Sequence, residues 1–348
     1  MLEGSAFWQL LVSRALLYLR EPEVIFWTYG FPLILVVALG LAFNSDSGPP
    51  VQTFALVEGP VADSAIDALK DNQELQVEVL PREEAMTRLR RNQILVVMEI
   101  DPQTLQVTYH YDPSNPESRP LRMAVDDALQ RASGREDAFP SRDEHVTAPG
   151  SRYVDFLVPG LIGMNIMMGG MWGIGFVIVD MRVRNQMKRL LATPVRRTTF
   201  LIATLSSRVM FFLPEAAFLL AAAWLIFDIP INGSVLAIFL MALVGVLSFA
   251  GLGLLTACRA KRLETISGLI NLIMMPMWIA SGIFFSASRF PDFMQPFIQA
   301  LPLTQLINAL RAIMLEGAPL LSQTLPLAVL AAWGGISYLV ALKIFRWG

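Results

Sequence analysis

A glutamate in the middle of an apolar run is the residue that most demands a chemical explanation. Glu215 lies within Phe200–Phe227, about 28 residues or roughly 42 Å of helix at 1.5 Å per residue. If Phe227 marks one edge of a hydrocarbon core about 30 Å thick, Glu215 falls about 18 Å inside it, near the midplane. Arg208 falls about 28 Å inside, near the opposite surface, and is expected to snorkel there. The two residues share a helix face at i,i+7, but roughly 10 Å of axial rise separates them, too far for a dependable salt bridge. A carboxylate at such depth normally faces a bundle interior or a cavity, which makes Glu215 a candidate for touching a passing substrate. The competing reading is a protonated glutamic acid hydrogen-bonded in helix packing.

Little else in the sequence could perform catalysis. There is no G-x-x-x-x-G-K-[ST] phosphate loop, no H-E-x-x-H and no G-x-S-x-G. Cys258 is the one cysteine, so no disulfide can form within the chain. His110 and His145 have no partner ligands in their neighbourhood of sequence and are assigned to a domain surface. The chain is therefore read as a non-enzyme with no metal and no cofactor of its own, and nothing in it points to nucleic acid.

The elements that must carry these residues are set by composition. Of 348 residues, 54% are hydrophobic and 16% charged, against about 45–50% and 25% in soluble domains. A soluble enzyme is excluded on that ground. Apolar runs long enough to cross a bilayer occur at Val24–Phe43, Tyr153–Val179, Phe200–Phe227, Val235–Ala257, Ile266–Phe285 and Leu325–Leu342. The predicted architecture is an all-α polytopic membrane protein with six transmembrane helices and a small α/β extracytoplasmic domain inserted after the first. The corresponding boundaries are an interfacial helix over 1–21, span one over 22–44, the inserted domain and linker over 45–150, and a membrane domain over 151–348. Within the last, spans two to six cover about 152–179, 199–227, 234–257, 265–286 and 323–343, with a basic loop over 180–198.

Orientation follows from Lys and Arg in short loops. Arg14 and Arg20 precede span one, and Arg182, Arg184, Lys188, Arg189, Arg196 and Arg197 follow span two. Arg259, Lys261 and Arg262 lie between spans four and five, beside Glu264, and Lys343 and Arg346 follow span six. All fall on one side, so both termini are expected in the cytoplasm and the insert outside. Pro22 and Pro32, and an apolar run longer than a signal peptide's 7–15-residue core, predict that the first span is retained. Before it, Ser5, Gln9 and Ser13 recur every fourth residue among Phe7, Trp8, Leu10, Leu11 and Leu17, an amphipathic pattern suited to the membrane interface. In the insert, strands are predicted at Gln52–Val57, Gln76–Leu80, Ile94–Ile100 and Gln106–Tyr111, with helices at Ala62–Lys70, Glu83–Arg91 and Arg119–Arg131. A polar linker follows over 134–149.

Three further stretches carry mechanism. In Asp180–Arg197, Met187, Leu190 and Leu191 fall at helical spacing with Arg184, Lys188 and Arg189 on other faces, and Thr193–Pro194 ends the helix. These charges either dock a partner or only fix topology and meet anionic lipid. In the outer segment 287–304, Pro291, Pro296 and Pro302 cut an apolar run into pieces too short to cross, a candidate re-entrant or interfacial hairpin. Met164, Met167, Met168, Met171 and Trp172 in span two, and Met274, Met275, Met277 and Trp278 in span five, supply adaptable apolar surface. It either lines a substrate path or simply packs. With Glu215, Asn165, Met168, Trp172, Asn271, Met275 and Trp278 form the candidate path.

The motifs RYVDFLVPG over 152–160, LLATPVRR over 190–197, GLGLL over 251–255, SGIFF over 281–285, FPD over 290–292, LPLT over 301–304 and ALRAIMLEG over 309–317 occur in that order. Together they resemble the permease subunits of type-2 ABC exporters, of the subgroup with an extracytoplasmic domain between spans one and two. The resemblance implies two permeases, identical or paralogous, paired with two cytoplasmic ABC ATPase subunits that bind ATP and magnesium. It also implies that 180–198 is a coupling loop in which Arg182, Arg184, Lys188, Arg189, Thr193, Pro194, Arg196 and Arg197 face the ATPase. Arg259, Lys261, Arg262 and Glu264 form a second cytoplasmic loop, and Pro291, Asp292, Pro302 and Thr304 mark the outer re-entrant segment. Many relatives place an acidic residue and a Gly-Thr pair where this chain has Asn185, Gln186 and Lys188, which implies basic-on-acidic docking. The resemblance thus points to a bacterial inner-membrane exporter of an amphipathic drug-like or lipid-like substrate. A gradient-driven transporter is the rival class but should show several intramembrane ionisable groups or inverted repeats. A non-transporting sensor or scaffold is the third.

Overall fold

The computed structural model describes residues 2–42, 52–60, 66, 69, 74–135, 152–193 and 197–345. Two compact units emerge, Met1–Asn44 with Val146–Gly348, and Ser45–His145.

The first unit is helical. Helix α1 (Leu2–Arg20) stops at Glu21, and α2 (Pro22–Ile25) restarts with proline in its first turn, where a missing N–H costs nothing. A π turn over Phe26–Gly30 leads into α3 (Phe31–Ala42). Pro32 has no N–H for the Thr28 carbonyl four residues back, and that oxygen instead accepts Asn165 Nδ2 at 3.4 Å. The sequence predicted a full first span; the apolar helix observed, Phe26–Leu41, is shorter than the other five. The helical backbone itself runs unbroken from Pro22 to Ala42, the π turn included, and residues past 42 lie outside the described part.

Among the described residues, five helices are long and apolar enough to cross a membrane: Tyr153–Val183, Thr199–Phe227, Val235–Ala257, Leu263–Ala280 and Thr324–Ile344. The first comprises α6 (Tyr153–Gly170), a π turn over Met171–Phe176 and α7 (Val177–Val183). After α8 (Gln186–Leu191) come α9 (Arg197–Phe227), α10 (Val235–Ala257) and α11 (Leu263–Ala280). Short α12 (Gln295–Ala300) and α13 (Pro302–Met314) precede α14 (Thr324–Ile344). The prolines punctuate the segment between α11 and α13 as expected. Pro291 caps a 3-10 turn over Asp292–Met294, Pro296 sits in the first turn of α12, and Pro302 opens α13.

Helices α6 and α10 form the centre. A Cβ at Gly253 would lie 2.3 Å from the Gly170 carbonyl, and one at Gly170 2.5 Å from Phe249 Cβ. Glycine therefore sets this backbone-to-backbone approach, which suits a medium where packing rather than hydrophobicity holds helices together.

The second unit is a small sheet with order β2-β1-β3-β4. The strands are β1 (Gln52–Val57), β2 (Leu75–Leu80), β3 (Val96–Ile100) and β4 (Val107–Tyr111). Strands β1, β2 and β3 run parallel, and β4 returns antiparallel to β3. Side-chain alternation sends Phe54, Leu56, Val96 and Met98 to one face, where α5 (Ser118–Ala132) supplies Leu121 and Val125. Ala55 and Val97 point to the other, against Ala85 of α4 (Arg82–Arg90). Of the helix predicted over 62–70, only Ile66 and Leu69 are among the described residues, and His145 and the linker beyond 135 lie outside them.

Candidate functional site

The glutamate is buried and paired. Arg208 Nη1 donates to Glu215 Oε2 at 3.1 Å, with Arg208 8% and Glu215 3% exposed. Both the snorkelling arginine and the separated pair expected from axial rise are corrected here. Side chains on a helix lean towards its N-terminus, so Glu215 points back along the gap that Arg208 spans. Neighbouring helices decide the rest. The guanidinium lies where a side chain at position 169 would be: a Cβ on Gly169 would stand 1.6 Å from Arg208 Nη2 and 2.0 Å from Cζ. Arg208 Nε and Nη2 are buried and make no hydrogen bond among the described residues.

The N-terminal elements close this cluster. Tyr18 of α1 stacks on Phe211 with ring centroids 4.2 Å apart. Tyr29 meets Phe218 edge-on at 5.4 Å. The ion pair is therefore enclosed by α1, the first π turn, α6 and α9. No spacing rule points to Gly169, Tyr18 or Tyr29.

The candidate path residues divide into two groups. Asn165 and Glu215 are buried, and Met168 and Trp172 are half-buried on the same span as Asn165. Asn271, Met275 and Trp278 lie on the exposed face of α11, with Met275 64% exposed. Within one chain these groups occupy different surfaces.

The basic loop has a defined shape. Helix α7 ends at Val183, Asn185 turns the chain in the left-handed region at φ 56°, and α8 follows. Met187 is buried while Lys188 and Arg189 are exposed. Arg184 pairs with Asp180 at 2.8 Å. Arg182 is otherwise engaged: Nη1 donates to the carbonyls of Ala257 and Ala260 at 2.9 and 2.5 Å, tying span two to the end of α10. Thr193 Oγ1 donates to the Leu190 carbonyl at 2.6 Å. Arg197 opens α9, while Pro194 and Arg196 lie outside the described residues. Arg259, Lys261, Arg262 and Glu264 are all exposed.

At the opposite end, Asp292 begins the 3-10 turn, and Thr304 is fully buried next to Pro302 at the start of α13. Arg311 is the residue that sequence reasoning missed there. Its Nε and Nη2 donate to the Phe156 carbonyl at 3.2 and 3.0 Å, and Nη2 also reaches the Gly282 carbonyl at 2.5 Å. The guanidinium stacks 3.6 Å from the Phe156 ring centroid. It clamps α13 to the start of α6 and to the turn after α11, where Gly282 has φ +81°. In the sequence Arg311 stands out only as part of the ALRAIMLEG motif over 309–317.

Several membrane-length helices, a proline-broken segment between α11 and α13 and a helical basic loop define a polytopic membrane protein. No cluster of three or more metal-binding side chains occurs among the described residues. Residues 22–343 match the family described as ABC-2 family transporter protein, and the chain belongs to that family. It is similar to ABC transporter G family member 20 of Dictyostelium discoideum, at 27% identity over 198 residues, 56% of this chain and 27% of that protein. It is also similar to the probable multidrug ABC transporter permease YbhS of Escherichia coli (strain K12), at 25% over 165 residues, 47% of this chain and 43% of the relative. Inner membrane transport permease YadH of the same strain shares 24% over 162 residues, 47% of this chain and 63% of the relative. Each match spans less than two thirds of the relative's own length.

Proposed function

We propose that this chain is the permease subunit of an ATP-driven exporter that moves amphipathic drug-like or lipid-like compounds outward across a bacterial inner membrane. Two permease copies, identical or paralogous, pair with two ABC ATPase subunits, which hold the ATP and magnesium. Both termini and the basic loops face those ATPases in the cytoplasm, α3 completes a sixth span, and residues 45–150 form an extracytoplasmic domain. The observation that carries the reading is the exposed face of α11. Asn271, one residue before the 70% exposed Leu272, would meet lipid with an amide that has no hydrogen-bond partner among the described residues of one chain, which is costly in hydrocarbon. A second copy facing α11 gives that amide a partner and turns Met275 and Trp278 into the wall of a shared, adaptable path. The names of the bacterial relatives, a probable multidrug permease and an inner membrane transport permease, agree with this class.

The test is flux. Vesicles holding the purified permease with its ATPase should accumulate a fluorescent amphiphile only when ATP is supplied. Accumulation driven by an ion gradient without ATP would replace this reading with a secondary transporter, and no flux under either condition would favour a scaffold.

A further inference from the structure

The turn after α11 gathers hydrogen-bond donors that the described residues leave unanswered. Gly282 is buried at φ +81°, and a Cβ there would stand 3.5 Å from Arg311 Nη1 and 3.5 Å from the Ala287 nitrogen. The glycine thus leaves a methyl-sized space with a cationic N–H group on one side and a backbone N–H on another. Arg311 spends Nε and Nη2 on the Phe156 and Gly282 carbonyls, but Nη1 has no acceptor among the described residues. The Ala287 N–H, at the start of a 3-10 turn over Ala287–Arg289, likewise has none. Ser281, immediately before Gly282, is 0% exposed, and its Oγ is a third group without a partner among them. Burial alone pushes the Arg311 guanidinium down to about 10, with no opposing charge to hold it up. Asp155, next to Phe156 in the chain, already answers Arg152 at 3.0 Å.

We infer that this turn binds one small monovalent anion of the size of chloride, held between Arg311 Nη1 and the Ala287 N–H, with the Ser281 hydroxyl as third donor. Water suits such a lining less well. It has two lone pairs for three donors, and its own hydrogens would need acceptors, while Arg311 already occupies the Phe156 and Gly282 carbonyls. An anion accepts from all three groups and answers a buried cation, whose burial without a counter-charge is costly. The negative end of the α11 dipole, about half a charge, offsets only part of that cation. Size narrows the choice further. The contacts of 3.5 to 3.6 Å around the space beside Gly282 are those of a single methyl, which suits a one-atom anion better than a carboxylate or phosphate. Bound there, the ion fastens α13 to the turn after α11 and to the 3-10 turn that follows. This site needs neither cargo nor ATP, so it stands apart from the export reading.

The experiment uses the full-length chain in detergent, dialysed into chloride-free sodium gluconate and titrated with sodium chloride at constant ionic strength. Equilibrium dialysis with radioactive chloride should show one ion per chain. The melting temperature, followed by tryptophan fluorescence, should rise with chloride as binding to the folded state requires. Ala287→Pro deletes the backbone donor where proline is tolerated, because Ala287 is the first residue of its turn and Ser286 before it has φ −59° and ψ 132°. It should melt like the wild type in gluconate and bind chloride about tenfold more weakly, the loss of one hydrogen bond to a charge. Should that variant misfold, Ser281→Ala supplies a test of sign. Without chloride it should melt at or above the wild type, because it removes an unsatisfied buried hydroxyl; with chloride the order should reverse. Identical melting in chloride and gluconate, no bound radioactive chloride, or undiminished affinity in both variants overturns the assignment. So does displacement of chloride by phosphatidylglycerol or by an anionic amphiphile, which would give the site to a larger headgroup.

Discussion

Gly169→Ala is the smallest change that should dismantle the buried ion pair. The added methyl would stand 1.6 Å from Arg208 Nη2 and 2.4 Å from Nε, inside the guanidinium itself. Because the obstructing atoms are the far end of a flexible side chain, Arg208 can swing away, and steric overlap is not the main cost. The cost is electrostatic. Glu215, 3% exposed, loses the 3.1 Å contact that compensates its charge. Breaking a buried pair by removing one partner costs about 3–5 kcal/mol, a shift of roughly 10²–10³·⁵ in the folded-to-unfolded ratio. Glu215→Gln alone should also destabilise, because it leaves Arg208 buried without its counter-ion. Combining the two should relieve both faults: Arg208 is free to snorkel, and the amide at 215 carries no charge. The double variant is therefore expected to be more stable than Gly169→Ala alone by about 2 kcal/mol, within the usual range for coupled neighbours. Unfolding in mixed detergent micelles, followed by the fluorescence of the seven tryptophans, measures all four proteins. Additive losses, or a Gly169→Ala protein as stable as wild type, would refute the claim that Gly169 exists to seat Arg208.

Three other outcomes are expected. Replacing exposed Lys188 and Arg189 with Ser should leave membrane insertion intact and abolish transport-stimulated ATP hydrolysis, measured as phosphate release by the assembled complex; undiminished stimulation would return these charges to a topogenic role. A cysteine at Ser114 should react with an impermeant thiol reagent from outside intact cells, while one at exposed Lys261 should react only after permeabilisation. Native Cys258 should stay silent on either side, being 1% exposed with its thiol pushed up to about 11 by burial; the reverse pattern at 114 and 261 would invert the topology. Glu215→Gln should lower export of cationic amphiphiles more than neutral ones in the vesicle assay, and equal rates for both would leave the carboxylate to packing alone.

What was legible in the sequence, and what was not, follows from the range of the interactions involved. Apolar run length reveals the five long spans because each is a local property of about twenty residues. The prolines at 291, 296 and 302 break the segment between α11 and α13 through their own missing N–H groups, which is equally local. Strand alternation placed the sheet of the second unit to within two residues at each strand start, since period two is written along a single strand. The ion pair was misread for the opposite reason. Cα rise along one helix says nothing of the direction in which two long side chains lean, nor of a glycine on another helix that opens space for a guanidinium. Arg311 and Arg182 show the same limit. Each looks like a loop charge, yet each is spent on carbonyls 29 to 155 and 75 to 78 residues away in sequence, respectively.

These arginines share a physical logic that separates the two ends of the bundle. In an apolar medium a guanidinium is stable only where carbonyls or a carboxylate collect its N–H groups. Arg311 finds carbonyls exposed by the turn at Gly282, and Arg182 finds those at and just past the end of α10. Both are therefore fixtures, and neither retains the freedom to follow a moving substrate. Arg208 differs, having one carboxylate oxygen and two nitrogens that find no acceptor among the described residues. An under-satisfied group of this kind is held less firmly than its neighbours, because fewer bonds must break for it to move. If the bundle has two arrangements, the pair between Arg208 and Glu215, closed over by α1 and the first π turn, is the contact best suited to differ between them. The clamp at Arg311 should then persist in both, so a disulfide across α13 and α6 ought to be tolerated where one across α1 and α9 is not.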